Sequence, residues 1–152
     1  MKNFGEGEFE MDWLTVLNNP KKSKKDKLEA IGFIRDTLDY GRKPDDMVVE
    51  IINNLSKQAV KQDDLDIKES ILDAMLEGSK APFVEKTINL GPIVKHLNEF
   101  NDACLSYILS LLGNSGEIAY RAIIESYKTN LSLKEDVEEA LAEMDYRIKN
   151  NL

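Results

Sequence analysis

The chain has 152 residues, 42% of them hydrophobic and 32% charged, and its 20 Lys and Arg against 28 Asp and Glu leave a net charge of −8. That length and apolar content suffice for one domain with a real core and argue against a disordered chain. The acidic balance disfavours a nucleic-acid binder, which needs a basic footprint, and suits a basic partner or plain solubility. The single cysteine, Cys104, cannot close an internal disulfide, so a reducing cytoplasm is the expected compartment. The leading MKNFGEGEFEMDW is acidic, without the apolar run of a signal peptide. No stretch nears the roughly 18–20 apolar residues of a membrane span.

Residues 1–20 read as a loose lead-in and a short capping helix, with Phe9, Trp13, Val16 and Leu17 on one face and Pro20 past its end. The sole tryptophan, Trp13, is expected to be a hydrophobic lid over the first repeat. Residues 21–27, KKSKKDK, are the one basic cluster and read as a solvated loop. A helix over about Asp26–Tyr40 comes next, with Leu28, Ile31, Ile34 and Leu38 inward and Gly41 as its stop. Pro44, Asp45 and Asp46 predict a new start, Pro44 in the first helical position, with Met47, Val48, Ile51, Ile52, Leu55 and Ala59 inside. A helix from about Asp64 to Glu77 carries Leu65, Ile71, Leu72, Met75 and Leu76 inward and ends at Gly78.

Pro82 starts the next helix, with Phe83, Val84, Ile88 and Leu90 as its apolar side; Gly91-Pro92 should break it, because proline removes a donor and clashes with the preceding turn. Asn101–Leu112, NDACLSYILSLL, is apolar over about 240° of a helical wheel, with only Asp102, Ser106 and Ser110 as a wet edge. Such a helix needs cover on several sides, so it is the expected centre of the fold. Gly113 to Gly116 stop it. Ser115–Tyr127 succeeds it with Ile118, Ala119, Ala122 and Ile123 inside, then a last helix opened by a Ser132–Glu135 capping box, its seam being Val137, Leu141, Met144 and Ile148. No segment alternates like a strand, so the chain is all-α.

The starts near Asp26, Asp64 and Asn101 lie 38 and 37 residues apart, and Ile34, Leu72 and Leu109 fall in register, as do Leu38 and Leu76. One further helix separates each pair of starts. This period is that of helix-pair repeats. LEAIGFIRDTL (28–38), ESILDAML (69–76) and LSYILSLLGNSG (105–116) resemble the leading helix of a HEAT or armadillo repeat, and EIAYRAIIESY (117–127) is similar to a HEAT second helix. The resemblance spans about residues 26–148. It implies a single domain of about seven to eight helices, antiparallel pairs stacked into a short right-handed solenoid.

Catalytic signatures are thin. His96 is the only histidine, which rules out histidine clusters on a metal and reads as a capping or surface group. There is no phosphate-binding glycine loop, and Asp63, Asp64 and Asp66 lack the glycine and terminal glutamate of a calcium loop. Cys104, inside an apolar arc, reads as a small buried hydrophobe. Neither enzyme activity nor a cofactor is expected.

The acids are the informative feature. Asp66, Glu69, Asp73 and Glu77 fall within about 80° of one another on their helix, and residues 63–77 hold six acids against one lysine. The last helix repeats the theme with Glu135, Asp136, Glu138, Glu139, Glu143 and Asp145 and no base among residues 135–145. A solvated face explains either run alone; two on one repeat scaffold favour a basic protein partner. Asp46, Glu50 and Asn53 form a ridge, with Lys57, that would border the same surface.

A short, acidic helical-repeat protein resembles the all-helical immunity proteins of bacterial contact-dependent or polymorphic toxin systems. That resemblance implies a cognate toxin domain as partner, often a basic nuclease, blocked at its active or substrate-binding surface. It implies no contact with nucleic acid or membrane. The other reading is a HEAT-like adaptor that holds a peptide or helix, without a toxin.

Overall fold

The computed structural model describes residues 6–40 and 43–152, with side chains from residue 12 onward. Among these residues the chain is all-α: nine α-helices joined by turns, without a strand. They are α1 (Glu6–Asn18), α2 (Lys24–Tyr40), α3 (Asp45–Lys61), α4 (Leu65–Gly78), α5 (Pro82–Thr87), α6 (Gly91–Val94), α7 (Asp102–Ser115), α8 (Arg121–Glu125) and α9 (Lys134–Lys149). Short 3₁₀ turns occupy Leu97–Glu99, Ile118–Tyr120 and Leu131–Leu133.

Local chemistry sets most of the starts. The Asp64 side chain accepts from the N–H groups of Asp66 and Ile67 at 2.9 and 3.0 Å, and Asn101 accepts from Cys104 at 3.0 Å. Each satisfies donors that a helix start leaves unpaired. Pro44 is the residue before α3 rather than its first, since its ψ of 146° is extended. Gly91-Pro92 begins a separate helix, as its sequence demanded, which raises the helix number above the seven to eight expected. α7 runs on through Gly113 to Ser115 and stops at Gly116, whose φ of 65° lies in the left-handed region that favours glycine. Gly41, the expected stop of α2, and the Phe9 side chain lie outside the described residues.

The leading helices α2, α4, α7 and α9 form a row in which each packs on the next. α3 packs on α4 and carries α5 and α6, α8 lies against α9, and α1 closes the row on α2. Ile34 of α2, Leu72 of α4 and Leu109 of α7 are fully buried. α7 touches α4, α5, α8 and α9, which accounts for its apolar sweep. The α7–α9 crossing is close: a Cβ on Gly113 would stand 2.6 Å from the Ala140 carbonyl oxygen. Trp13 and Leu17 of α1 are buried, and Gln62 Nε2 donates to the Leu17 carbonyl at 3.0 Å, so the lid is tied down. Buried Lys68 caps the far end of α3, donating from Nζ to the Ala59 carbonyl at 2.7 Å, and stands 4.8 Å from the Phe100 ring.

Several inward assignments need correction. Leu65 and Phe83 are exposed, because each sits in the first turn of its helix, outside the inter-helix seams. Ile118, Ala119 and Ala122 also face solvent, and Ile124 is the buried residue of that segment. The cause is a change of helix type: a 3₁₀ turn followed by a five-residue α-helix shifts every later side chain off a continuous 3.6-residue period. Ile148 is exposed too, and Ala140 takes its place in the α9 seam. The Ser132–Glu135 capping box does not form; Ser132 lies inside a 3₁₀ turn, and Asn130 caps that turn by accepting from the Ser132 N–H at 3.0 Å.

Candidate functional site

The two acidic runs lie on either side of α7. On the α4 side, Glu69 and Asp73 stand close enough to Tyr107 that, after burial, their charges help push its hydroxyl above the ordinary tyrosine range. On the α9 side, Asp136 accepts from Ser106 Oγ at 2.7 Å. A groove of about 230 Å³ crosses all three helices, lined by Leu76 of α4, Ser110 and Asn114 of α7, and Glu139, Ala140 and Glu143 of α9. Its lane is the wet edge of α7: Ser106 is held by Asp136, and Ser110 Oγ donates back to the Ser106 carbonyl at 3.4 Å. Glu135, Glu139 and Glu143, spaced by four, form the ridge on the α9 side.

The walls differ in charge. Lys24 Nζ stands 2.6 Å from Asp66 and 3.1 Å from Asp64, and Arg35 Nε donates to Asp73 at 2.8 Å with a further nitrogen 3.5 Å from Glu77. Lys80 stands 2.7 Å from Glu77, and that hydrogen bond holds the Glu77 carboxyl below its usual range. The Ile67 N–H bond, followed by Lys24, does the same for Asp64. Three of the four acids singled out on α4 are therefore matched by cations of the same chain; Glu69 pairs with none among the described residues. On α9, Glu143 pairs with Arg147 at 2.8 Å and Asp145 with Arg121, whereas Glu135, Glu138 and Glu139 pair with no described cation.

The α3 ridge is elsewhere. α3 lies on the side of α4 from which Lys68 reaches the last α3 carbonyls. Asn53 Oδ1 accepts from the Asn89 N–H at 2.7 Å, and Ser56 Oγ donates to the Asn89 carbonyl at 3.1 Å, so this face holds the break between α5 and α6. Asp46 and Glu50 are exposed on that helix. The structure thus brings Glu139 and Glu143 to the groove, sets Glu69 and Asp73 beside Tyr107 on the α4 side of α7, and leaves Asp46, Glu50 and Asn53 apart from it. Of the α7 residues that line the groove, Ser110 was legible only as part of the wet edge and Asn114 only as part of the helix stop.

His96 is half-exposed and stands 2.5 Å from Glu99, a surface pair on a 3₁₀ turn. Cys104 is fully buried, and burial pushes its thiol above the ordinary range. Among the described residues, no group of three His, Cys, Asp or Glu side chains is placed to hold a metal ion, and no helix is long and apolar enough to cross a membrane. No protein-family model, curated protein or solved structure matches this chain. The groove and its charges therefore carry the functional reading.

Proposed function

We propose that this chain is a non-catalytic binding protein of the immunity kind, which captures a basic bacterial toxin domain and covers its active or substrate-binding surface. The α7 groove carries the reading, because Glu139 lines it with no described cation beside it, Glu135 stands one helical turn earlier on α9, and unmatched Glu69 flanks α7 near Tyr107 on the other side. Charge of one sign along a concave lane speeds encounter with a basic partner and favours register over mere attraction. Toxin lysines and arginines that normally hold nucleic acid would then face carboxylates. The row of leading helices, each packed on the next, supports a short HEAT-like solenoid as the scaffold.

The test is co-expression. The C-terminal domain of the protein encoded immediately upstream is produced in bacterial cells with and without this chain, and survivors are counted. Growth arrest relieved only by co-expression is the expected result; a harmless neighbour, or one that kills regardless, overturns the reading. A second reading, a peptide adaptor, draws support from an apolar recess of about 280 Å³ between α1 and α2, lined by Asp12, Trp13, Val16, Ala30 and Phe33. Substitution of Ala30 by Trp would then abolish binding and leave the α7 groove untouched.

A further inference from the structure

The last turn of α9 is held by charge rather than by apolar packing. Met144 is fully buried, but Asp145, Tyr146, Ile148 and Lys149 beyond it are all exposed. Arg147 alone reaches inward. Its Nη1 donates to Glu85 Oε1 at 2.7 Å and to the Asn114 carbonyl at 3.0 Å, while its Nε donates to Glu143 Oε1 at 2.8 Å. The acceptors come from α5, from the final turn of α7 and from α9 itself. The Glu85 side chain is only 4% exposed and that of Arg147 15%, so this is a charge pair withdrawn from water. A carboxylate in that position is tolerated only with a well-placed cation. The other tie of this turn, Arg121 to Asp145, is solvent-exposed and correspondingly weak.

The acceptor set matches the fork of a guanidinium, with donors leaving one planar group in several fixed directions, and not the point charge of an ammonium. We propose that Glu85, Glu143 and the Asn114 carbonyl form a guanidinium receptor that Arg147 fills from within the chain, a latch whose emptying frees the last turn of α9 and opens the receptor to an arginine of another protein. The inference is independent of the toxin reading, because it rests on contacts within this chain.

Amide exchange followed by mass spectrometry on full-length Arg147→Ala tests it, with methylguanidinium and methylammonium as probes. Exchange over residues 145–150 is expected to quicken by about tenfold or more, with residues 137–144 little changed. Methylguanidinium should restore protection and raise the Tm, methylammonium at equal concentration should not, and the unmodified chain should respond to neither. Unchanged exchange, no rescue, or equal rescue by both cations would overturn the proposal. Arg147→Lys covers the case in which the alanine variant fails to fold: it keeps the stem and charge but not the fork, so the same local loss is expected. Wild-type protection in that variant, or exchange quickened along all of α9, would contradict a separately opening latch.

Discussion

α4 and α9 carry acid runs of similar density, yet the fold treats them in opposite ways. Beside α4 runs α2, whose Lys24 and Arg35 reach across the seam to Asp64, Asp66, Asp73 and Glu77. Beside α9 runs α7, whose facing edge is serine and asparagine, so Glu135 and Glu139 keep their charge unmatched. The first seam is closed at its rim by ion pairs, and the second by a near-backbone crossing at Gly113 and by Arg147, which reaches the Asn114 carbonyl of α7 and the withdrawn Glu85 of α5 beside it. What an acidic helix presents to other molecules depends on which helix lies next to it. Composition alone does not decide it.

The largest effects should be those the two seams share. Leu72 of α4 and Leu109 of α7 are both fully buried, so Leu72→Ala and Leu109→Ala are each expected to cost about 3–4 kcal/mol in urea unfolding. A large inequality between them would count against reading α4 and α7 as equivalent elements. Gly113→Ala separates the seams: its Cβ would meet Ala140 backbone, which cannot swing aside as a side chain can, and a loss of about 2 kcal/mol is expected.

Acid should act on the seams with opposite signs. Asp64 is held below its ordinary range by the Ile67 N–H and Lys24, so its contribution is present above the unfolded value and lost as pH falls through the folded one. Glu85 is raised, chiefly by burial and in spite of Arg147; its contribution is full below the unfolded value and lost as pH rises through the folded one. Asp64→Asn, which keeps a capping oxygen, should therefore reduce the Tm lost on acidification, and Glu85→Gln should increase it. Equal pH profiles for the two variants would contradict the contrast. The smallest effect belongs to the exposed rim: Arg35→Met should cost less than about 1 kcal/mol, and less still in high salt.

The parts of this architecture that depend on neighbours in sequence were legible. Asp64 and Asn101 announced their helices, Gly91-Pro92 its break, and the even spacing of Ile34, Leu72 and Leu109 marked three buried positions. What stayed hidden depends on residues far apart in the chain. Arg35 and Asp73 are separated by 38 positions, Lys24 and Asp66 by 42, Glu85 and Arg147 by 62. The first separation equals the spacing of the helix starts and the second is one helical turn longer, so Arg35, 38 residues before Asp73, was a usable sign of internal pairing. Nothing comparable flags Glu85 and Arg147, which meet because α5 and α9 both pack on α7. The α8 segment misled because its pitch changes within a few residues, and a wheel drawn through both parts averages two geometries.

The contrast between the two acid runs is tested most directly by association kinetics. The partner is whichever toxin domain the co-expression test identifies, and the variants are Glu135→Lys with Glu139→Lys against Asp66→Asn with Asp73→Asn. The α9 pair is expected to slow association by about tenfold or more and to flatten its salt dependence, while the α4 pair stays within about twofold of the unmodified chain. Slowing by the α4 pair with the α9 pair unaffected would contradict the assignment of the unmatched acids as the binding surface.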